Sequence, residues 1–218
     1  MENARIRMVN IAFSNIKNVA NGSISLNEVK ENNFGASIVG IYGQNGSGKT
    51  ALISAIELVK EVISGESLED DTYFYIRQES QAATIKVEWL MNFGDRDYNV
   101  NYTLKIGKKD NEKVQILSES VDYSSKAYNE FSRINKSKII GIEYPSLVSD
   151  INKCFYIPDS RVAEMASKDK QIKQRLTIVQ ALANEKTMSF IFNEKAMPLF
   201  EQNFENPIYY KILNALMY

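Results

Sequence analysis

The sequence predicts an α/β fold with an antiparallel β insertion and a helical C-terminal segment. Three observations predict it. A glycine-rich segment, Gly43 to Thr50, sits between an apolar β-branched run and a stretch of helical period. Residues Ala83 to Val121 then switch to a two-residue hydrophobic period, and beyond Asp159 the spacing returns to that of helices.

Taken in order, Arg5-Ile6-Arg7-Met8-Val9-Asn10-Ile11-Ala12-Phe13 is apolar with partial alternation, Asn21-Gly22 marks a turn, and Ser23-Ile24-Ser25-Leu26 reads as a second short strand. Ser37-Ile38-Val39-Gly40-Ile41-Tyr42 predicts a buried strand leading into the glycine-rich loop. Leu52, Ile56, Val59 and Ile63 share one helical face opposite Glu57, Lys60 and Glu61, and Gly65 supplies a stop.

Ala83, Ile85, Val87, Trp89, Met91 and Phe93 alternate with polar residues, which predicts a strand with one wet face. Gly94-Asp95 turns the chain, Tyr98 to Ile106 alternates again, Gly107 to Asn111 makes another turn, and Val114 to Val121 completes a three-stranded meander. Ser124 to Lys138 is polar and reads as a connection or an irregular helix, its basic residues and Tyr128 and Phe131 being better suited to a solvated linker than to nucleic acid. Cys154-Phe155-Tyr156-Ile157 is a short strand candidate closed by Pro158. Helical spacing follows at Val162 and Met165, at Ile172, Leu176, Val179 and Leu182, and after the cap-proline pair Asn206-Pro207, with Ile208, Ile212, Ala215 and Leu216. The expected division is 1–66 for the β and loop core, 67–138 for a β arm and linker, and 139–218 for a return to the core and a helical segment.

The loop reads Gly43-Gln44-Asn45-Gly46-Ser47-Gly48-Lys49-Thr50, the G-x-x-x-x-G-K-[ST] pattern that cradles phosphates when it joins a strand to a helix. Glycines allow positive φ and close approach, so successive N–H groups can face phosphate oxygens; Asn45 is one of the few other residues that tolerate left-handed geometry. A helix beginning near Lys49 adds its positive end, the Lys49 ammonium reaches the β- and γ-phosphates, and the Thr50 hydroxyl is a ligand for Mg²⁺. The predicted site is therefore Gly43 to Ala51, with ATP and Mg²⁺ as cofactors and Lys49 as the catalytic cation.

Composition bounds the alternatives. The 218 residues are 44% hydrophobic, enough for one substantial core. No long apolar run or signal-peptide pattern suggests a membrane, and the single Cys154 fits a reducing cytoplasm. With no histidine, Ser-His and Cys-His pairs and histidine zinc sites are excluded. At a net charge of −1, nucleic-acid contact would need local patches such as Arg5, Arg7, Lys136 and Lys138. A GTPase would need Asn-Lys-x-Asp, and both Asn135-Lys136-Ser137-Lys138 and Asn152-Lys153-Cys154-Phe155 fail at the fourth place.

The strand ending in Phe13-Ser14-Asn15-Ile16-Lys17-Asn18, the loop continuing into Ala51-Leu52, and the antiparallel insertion together resemble the N-terminal lobe of P-loop ATPase heads of the ABC type, in the SMC and RecF group. Within that group the chain looks most like the AAA-type ATPases called OLD-like or abortive-infection ATPases of anti-phage defence. Tyr156-Ile157-Pro158-Asp159-Ser160-Arg161 is similar to a strand-Pro-Arg segment of those proteins. The resemblance implies ATP hydrolysis in a full-length protein, head-to-head homodimerisation, and coupling to nucleic acid or to an effector nuclease. The group's second-half features are missing from this sequence: it contains no Ser-Gly-Gly, no switch histidine and no apolar strand ending in Asp-Glu, and Gln78 and Gln81 are weak stand-ins for a γ-phosphate-sensing glutamine. The expectation is an N-terminal part of a longer protein that binds ATP with little or no turnover by itself, or else a regulatory nucleotide module or a transporter-type subunit.

Overall fold

The computed structural model describes residues 4–26, 38–94, 96–127, 135–143, 155–156, 187–189, 191–194 and 207–218. Its frame is a seven-stranded sheet in the order β2-β1-β3-β4-β5-β6-β7, every neighbouring pair antiparallel. The strands are β1 (Arg5–Ile16), β2 (Val19–Ser25), β3 (Ala82–Phe93), β4 (Arg96–Lys109), β5 (Lys113–Ala127), β6 (Asn135–Glu143) and β7 (Phe155–Tyr156). Two helices, α1 (Lys49–Ile63) and α2 (Pro207–Met217), and a 3₁₀ turn over Asp70–Tyr75 complete the described elements.

Alternation builds the sheet. Ala83, Ile85, Val87, Trp89 and Met91 of β3, and Tyr98, Val100, Tyr102, Leu104 and Ile106 of β4, are buried, while the residues between them line the wetter face. Cross-strand rings reinforce the pairing: Tyr98 lies 5.7 Å from Phe93 and 5.9 Å from Tyr123 between ring centroids. Because β3 pairs with β1 along nearly its whole length, the meander continues the N-terminal hairpin in one sheet.

Helix α1 packs on β1 and β2 with Ala51, Leu52, Ala55, Leu58, Val59 and Val62 buried. This face is turned from the predicted one. Ile56 and Ile63 are only partly buried and Ile53 is 49% exposed, whereas Ala51 and Ala55 are fully buried. Small alanines let the backbone approach the sheet closely, a preference that hydrophobicity alone understates. The predicted stop at Gly65 is present: Gly65 takes φ 74, its N–H bonds Val62 O at 3.1 Å, and Glu66 N–H bonds Glu61 O at 3.0 Å, the Schellman arrangement.

Four further expectations are corrected. Asn21-Gly22 make no turn but lie within β2 opposite Ser14 and Phe13, and the chain reverses earlier, at Lys17-Asn18. Residues 38–42 form no strand and are exposed, Ile38 fully and Tyr42 at 94%. A strand needs a backbone partner as well as apolar side chains, and none of the described strands pairs with this run. The turn expected at Gly107–Asn111 is shorter: β4 runs to Lys109 and the chain reverses at Asn111 (φ 63) and Glu112 (φ 57), where two left-handed residues match the twist of a tight hairpin. Finally, the stretch read as linker contains strand at both ends, since Ser125 of β5 pairs with Asn135 of β6. Polar composition concealed a strand that is specified by its neighbour rather than by its own pattern.

Phe155–Tyr156 pairs with β6, as its apolar character suggests, and α2 starts at Pro207 with Ile212, Leu213 and Leu216 buried. Cys154, Pro158, Tyr128, Phe131 and the helical spacing from Val162 to Leu182 lie outside the described residues.

Candidate functional site

The loop Gly43–Gly48 is exposed as far as Ser47 and turns directly into α1. Its curvature begins with a tight turn in which Ser47 N–H bonds Gln44 O at 3.2 Å. Left-handed backbone within the loop is confined to Gly46 (φ 84) and Gly48 (φ 92); Gly43 and Asn45 do not adopt it. Gly43 is limited by space instead, because a Cβ there would lie 2.6 Å from Ser47 Oγ and 3.2 Å from Ser47 Cβ, so that Ser47 would have to move. At Gly48 both constraints act, since a Cβ would also sit 3.0 Å from Val19 Cγ2.

Gly48 caps α1 without a side-chain hydrogen bond, and the first turn carries no acidic residue. The helix therefore presents its first N–H groups and the positive end of its dipole without a built-in anion, the electrostatic condition for a bound phosphate. Lys49 Nζ folds back over the loop, donating to Gly43 O at 2.6 Å, Gln44 O at 2.8 Å and Ser47 Oγ at 3.3 Å. All three ammonium donors are thus engaged by acceptors that phosphate oxygens could replace. Thr50 is exposed at the second helical position, and Ala51 is fully buried beneath it, anchoring the helix start. These features fit a nucleotide triphosphate: the loop is shaped by glycine, lined by one cation, and followed by a hydroxyl suited to Mg²⁺.

The site has supports that sequence reading missed. Asn18, at the β1–β2 turn, donates from Nδ2 to Gly46 O at 3.2 Å. The same turn is held on its other side: Lys17 N–H bonds Tyr75 O at 2.7 Å, and Lys17 Nζ lies 3.9 Å from the Tyr75 ring centroid. The contact between positions 18 and 46 has no local signature, and the expected turn lay at Asn21-Gly22 rather than at Lys17-Asn18. Gln78 and Gln81 serve through their main chain, Gln78 O accepting from Lys108 Nζ at 3.0 Å and Gln81 O from Lys108 N–H at 2.9 Å.

Beneath α1 an acidic surface gathers. Burial, and then the nearby Glu69, Glu66, Asp71 and Glu57, raise the Glu61 carboxyl above the usual range. Burial and the carboxylates of Asp71, Glu57, Glu61 and Glu69 likewise raise the Tyr75 phenol. The basic residues proposed for nucleic acid are dispersed: Arg5 and Arg7 are on β1 and Lys136 and Lys138 on β6, four strand spacings of about 4.8 Å away. Arg7 is also committed within the fold, donating to Leu26 O at 3.2 Å.

Glycine geometry, a helix start without a cap and a lysine over the loop make this end of α1 chemically suited to the phosphates of a nucleotide. Residues 11–202 match the AAA domain family, and the chain belongs to that family, an AAA-type ATPase domain. Membership implies nucleotide binding, typically with Mg²⁺. No curated protein matches the chain. Among the described residues no helix is long and apolar enough to cross a membrane.

Proposed function

We propose that this chain is the ATP-binding lobe of an SMC- or RecF-like ATPase head of the OLD-like, abortive-infection type, coupling ATP binding and head dimerisation to nucleic-acid processing in anti-phage defence. The observation that supports nucleotide binding is the Gly43–Thr50 loop entering α1 at a glycine with φ 92 and no side-chain cap, and the head type and defence role rest on the resemblance alone. In this reading the loop N–H groups and Lys49 hold the phosphates, Thr50 binds Mg²⁺, residues 67–138 form a β arm and linker, and residues 139–218 return to the core. Binding without turnover is the expected behaviour of the chain alone, because the sequence offers no Asp-Glu strand end to position the attacking water. Nucleic-acid contact by this chain is weak, at or above the ~10⁻⁴ to 10⁻⁶ M of non-specific binders, and is lost as salt rises.

Equilibrium binding of Mg·ATP and Mg·GTP to the 218-residue chain and its Lys49→Ala variant tests the reading. Preferential Mg·ATP binding, weakened about tenfold or more by the substitution, supports it. Equal affinity in the two proteins contradicts it.

A further inference from the structure

The peptide between Gly46 and Ser47 is clamped at both ends. Its N–H donates to Gln44 O at 3.2 Å inside the loop, and its carbonyl accepts from Asn18 Nδ2 at 3.2 Å across 28 positions of sequence. Packing gives this point no support: a Cβ on Gly46 would meet nothing within 4 Å, and its φ of 84 is one that glycine enters and leaves readily. A peptide beside an unpacked glycine is free to rotate unless a hydrogen bond restrains it. Rotation here would swing the neighbouring N–H groups away from a common centre, and a cradle made of successive N–H groups would be lost.

Asn18 can restrain the loop because its own base is fixed. The β1–β2 turn is joined to the 75–77 segment by Lys17 N–H to Tyr75 O at 2.7 Å and by Arg77 N–H to Asn15 O at 2.8 Å. Asn15 Nδ2 bonds Ala82 O at 3.1 Å, and Ile16 bridges Ile76, both residues of that bridge being buried. Val19, the next residue along, fills the space behind Gly48. The turn therefore stands as a rigid post against the outer wall of the loop.

We infer that Asn18 is a positioning residue for the phosphate loop: its amide holds the Gly46–Ser47 peptide in the orientation that keeps the loop N–H groups convergent on a nucleotide's phosphates. The inference rests on the nucleotide reading of the loop. Loop order before binding raises affinity, because less freedom is lost when the phosphates arrive.

Calorimetric titration of Mg·ATP into the wild-type chain, Asn18→Ala, Asn18→Asp and Lys49→Ala, with the melting temperature of each nucleotide-free protein, tests it. Losing one neutral hydrogen bond weakens binding roughly two- to tenfold in Asn18→Ala, with melting unchanged. Asn18→Asp keeps the shape and turn preference but sets an acceptor against the Gly46 carbonyl and a negative charge beside the phosphates, so it binds more weakly than Asn18→Ala. A purely structural role gives the opposite order, with aspartate the milder change, and that order overturns the inference. Wild-type affinity in Asn18→Ala together with a loss in Lys49→Ala overturns the positioning role and leaves the nucleotide reading standing. No binding to the wild-type chain overturns both.

Discussion

The buried end of the sheet and the exposed loop at the start of α1 are built on opposite terms. At the sheet, Glu119 of β5 is 2% exposed, yet its carboxylate is surrounded by donors: Tyr102 OH at 3.0 Å, Ser189 Oγ at 2.7 Å and Ile191 N–H at 3.1 Å. Ser189 Oγ in turn accepts from Phe192 N–H at 2.8 Å, and the Phe192 ring meets Tyr102 edge-on at 5.2 Å. The 187–194 segment also reaches the exit of α1, where Leu68 N–H bonds Thr187 O at 2.8 Å. Polar groups there are satisfied by the protein itself, and the result is a fixed junction. At the loop, Gly46 has no packing neighbour, the helix start has no side-chain cap, and Lys49 rests on carbonyls of its own loop. The difference teaches where stability resides: one region is closed by its own donors, and the other begins a helix with no side-chain cap, as the proposed phosphate site requires.

Breaking the closed region gives the largest expected effect. Glu119→Ala leaves the Tyr102 and Ser189 hydroxyls and the Ile191 N–H buried without their acceptor, at about 1–3 kcal/mol per stranded group. A total of about 3 kcal/mol lowers the melting temperature by roughly 6–12 °C, measurable by calorimetry. Nucleotide affinity measured well below that melting temperature stays near wild type, because the junction lies at the far end of α1.

Gly48→Ala probes the boundary between the regions. It places a Cβ 3.0 Å from Val19 Cγ2 at φ 92, so nucleotide affinity falls while stability drops by about 1–2 kcal/mol, roughly 2–8 °C in melting temperature. Titration calorimetry and thermal melting on the same variant separate the two effects. A steady-state phosphate-release assay sharpens the site from another side: turnover by this chain stays well below the roughly 1 s⁻¹ of ordinary enzymes.

The smallest effect is electrostatic. The folded Glu61 carboxyl lies above its unfolded value, so its contribution is present below the unfolded value and is lost as pH rises through the folded one. At neutral pH the ionised group opposes folding. Glu61→Gln therefore melts higher than wild type at pH 7, and the gap closes as pH falls and the Glu61 carboxyl takes up its proton. A gap that widens on acidification would show that the sign is wrong.

Much of this was legible in the residues. The alternation in Ala83–Phe93 and Tyr98–Ile106 marks β3 and β4 because one face is buried, and a period of two is what a half-buried strand requires. The loop glycines were legible because phosphate geometry restricts residue type. Other features depend on distant partners. Ile38–Tyr42 looks like a buried strand by composition, but hydrophobicity does not say which edge receives it. β6 is specified by its pairing with β5, and the Asn18 and Glu119 contacts join positions 28 and 70 residues apart, respectively.

The central claim is that the loop binds nucleotide while the sheet holds the fold, and thermal melting with and without Mg·ATP tests both halves together. At about 100 times its dissociation constant a ligand adds about 2.7 kcal/mol to stability. For a chain of this length that is a rise of roughly 5–11 °C. The account predicts this rise for wild type, the same ligand-free melting temperature for Lys49→Ala, and at most about half that rise for the variant at the same Mg·ATP concentration, because a site weakened about tenfold or more is then at about 10 times its dissociation constant or below. An equal rise in both proteins, or none in wild type, would contradict it.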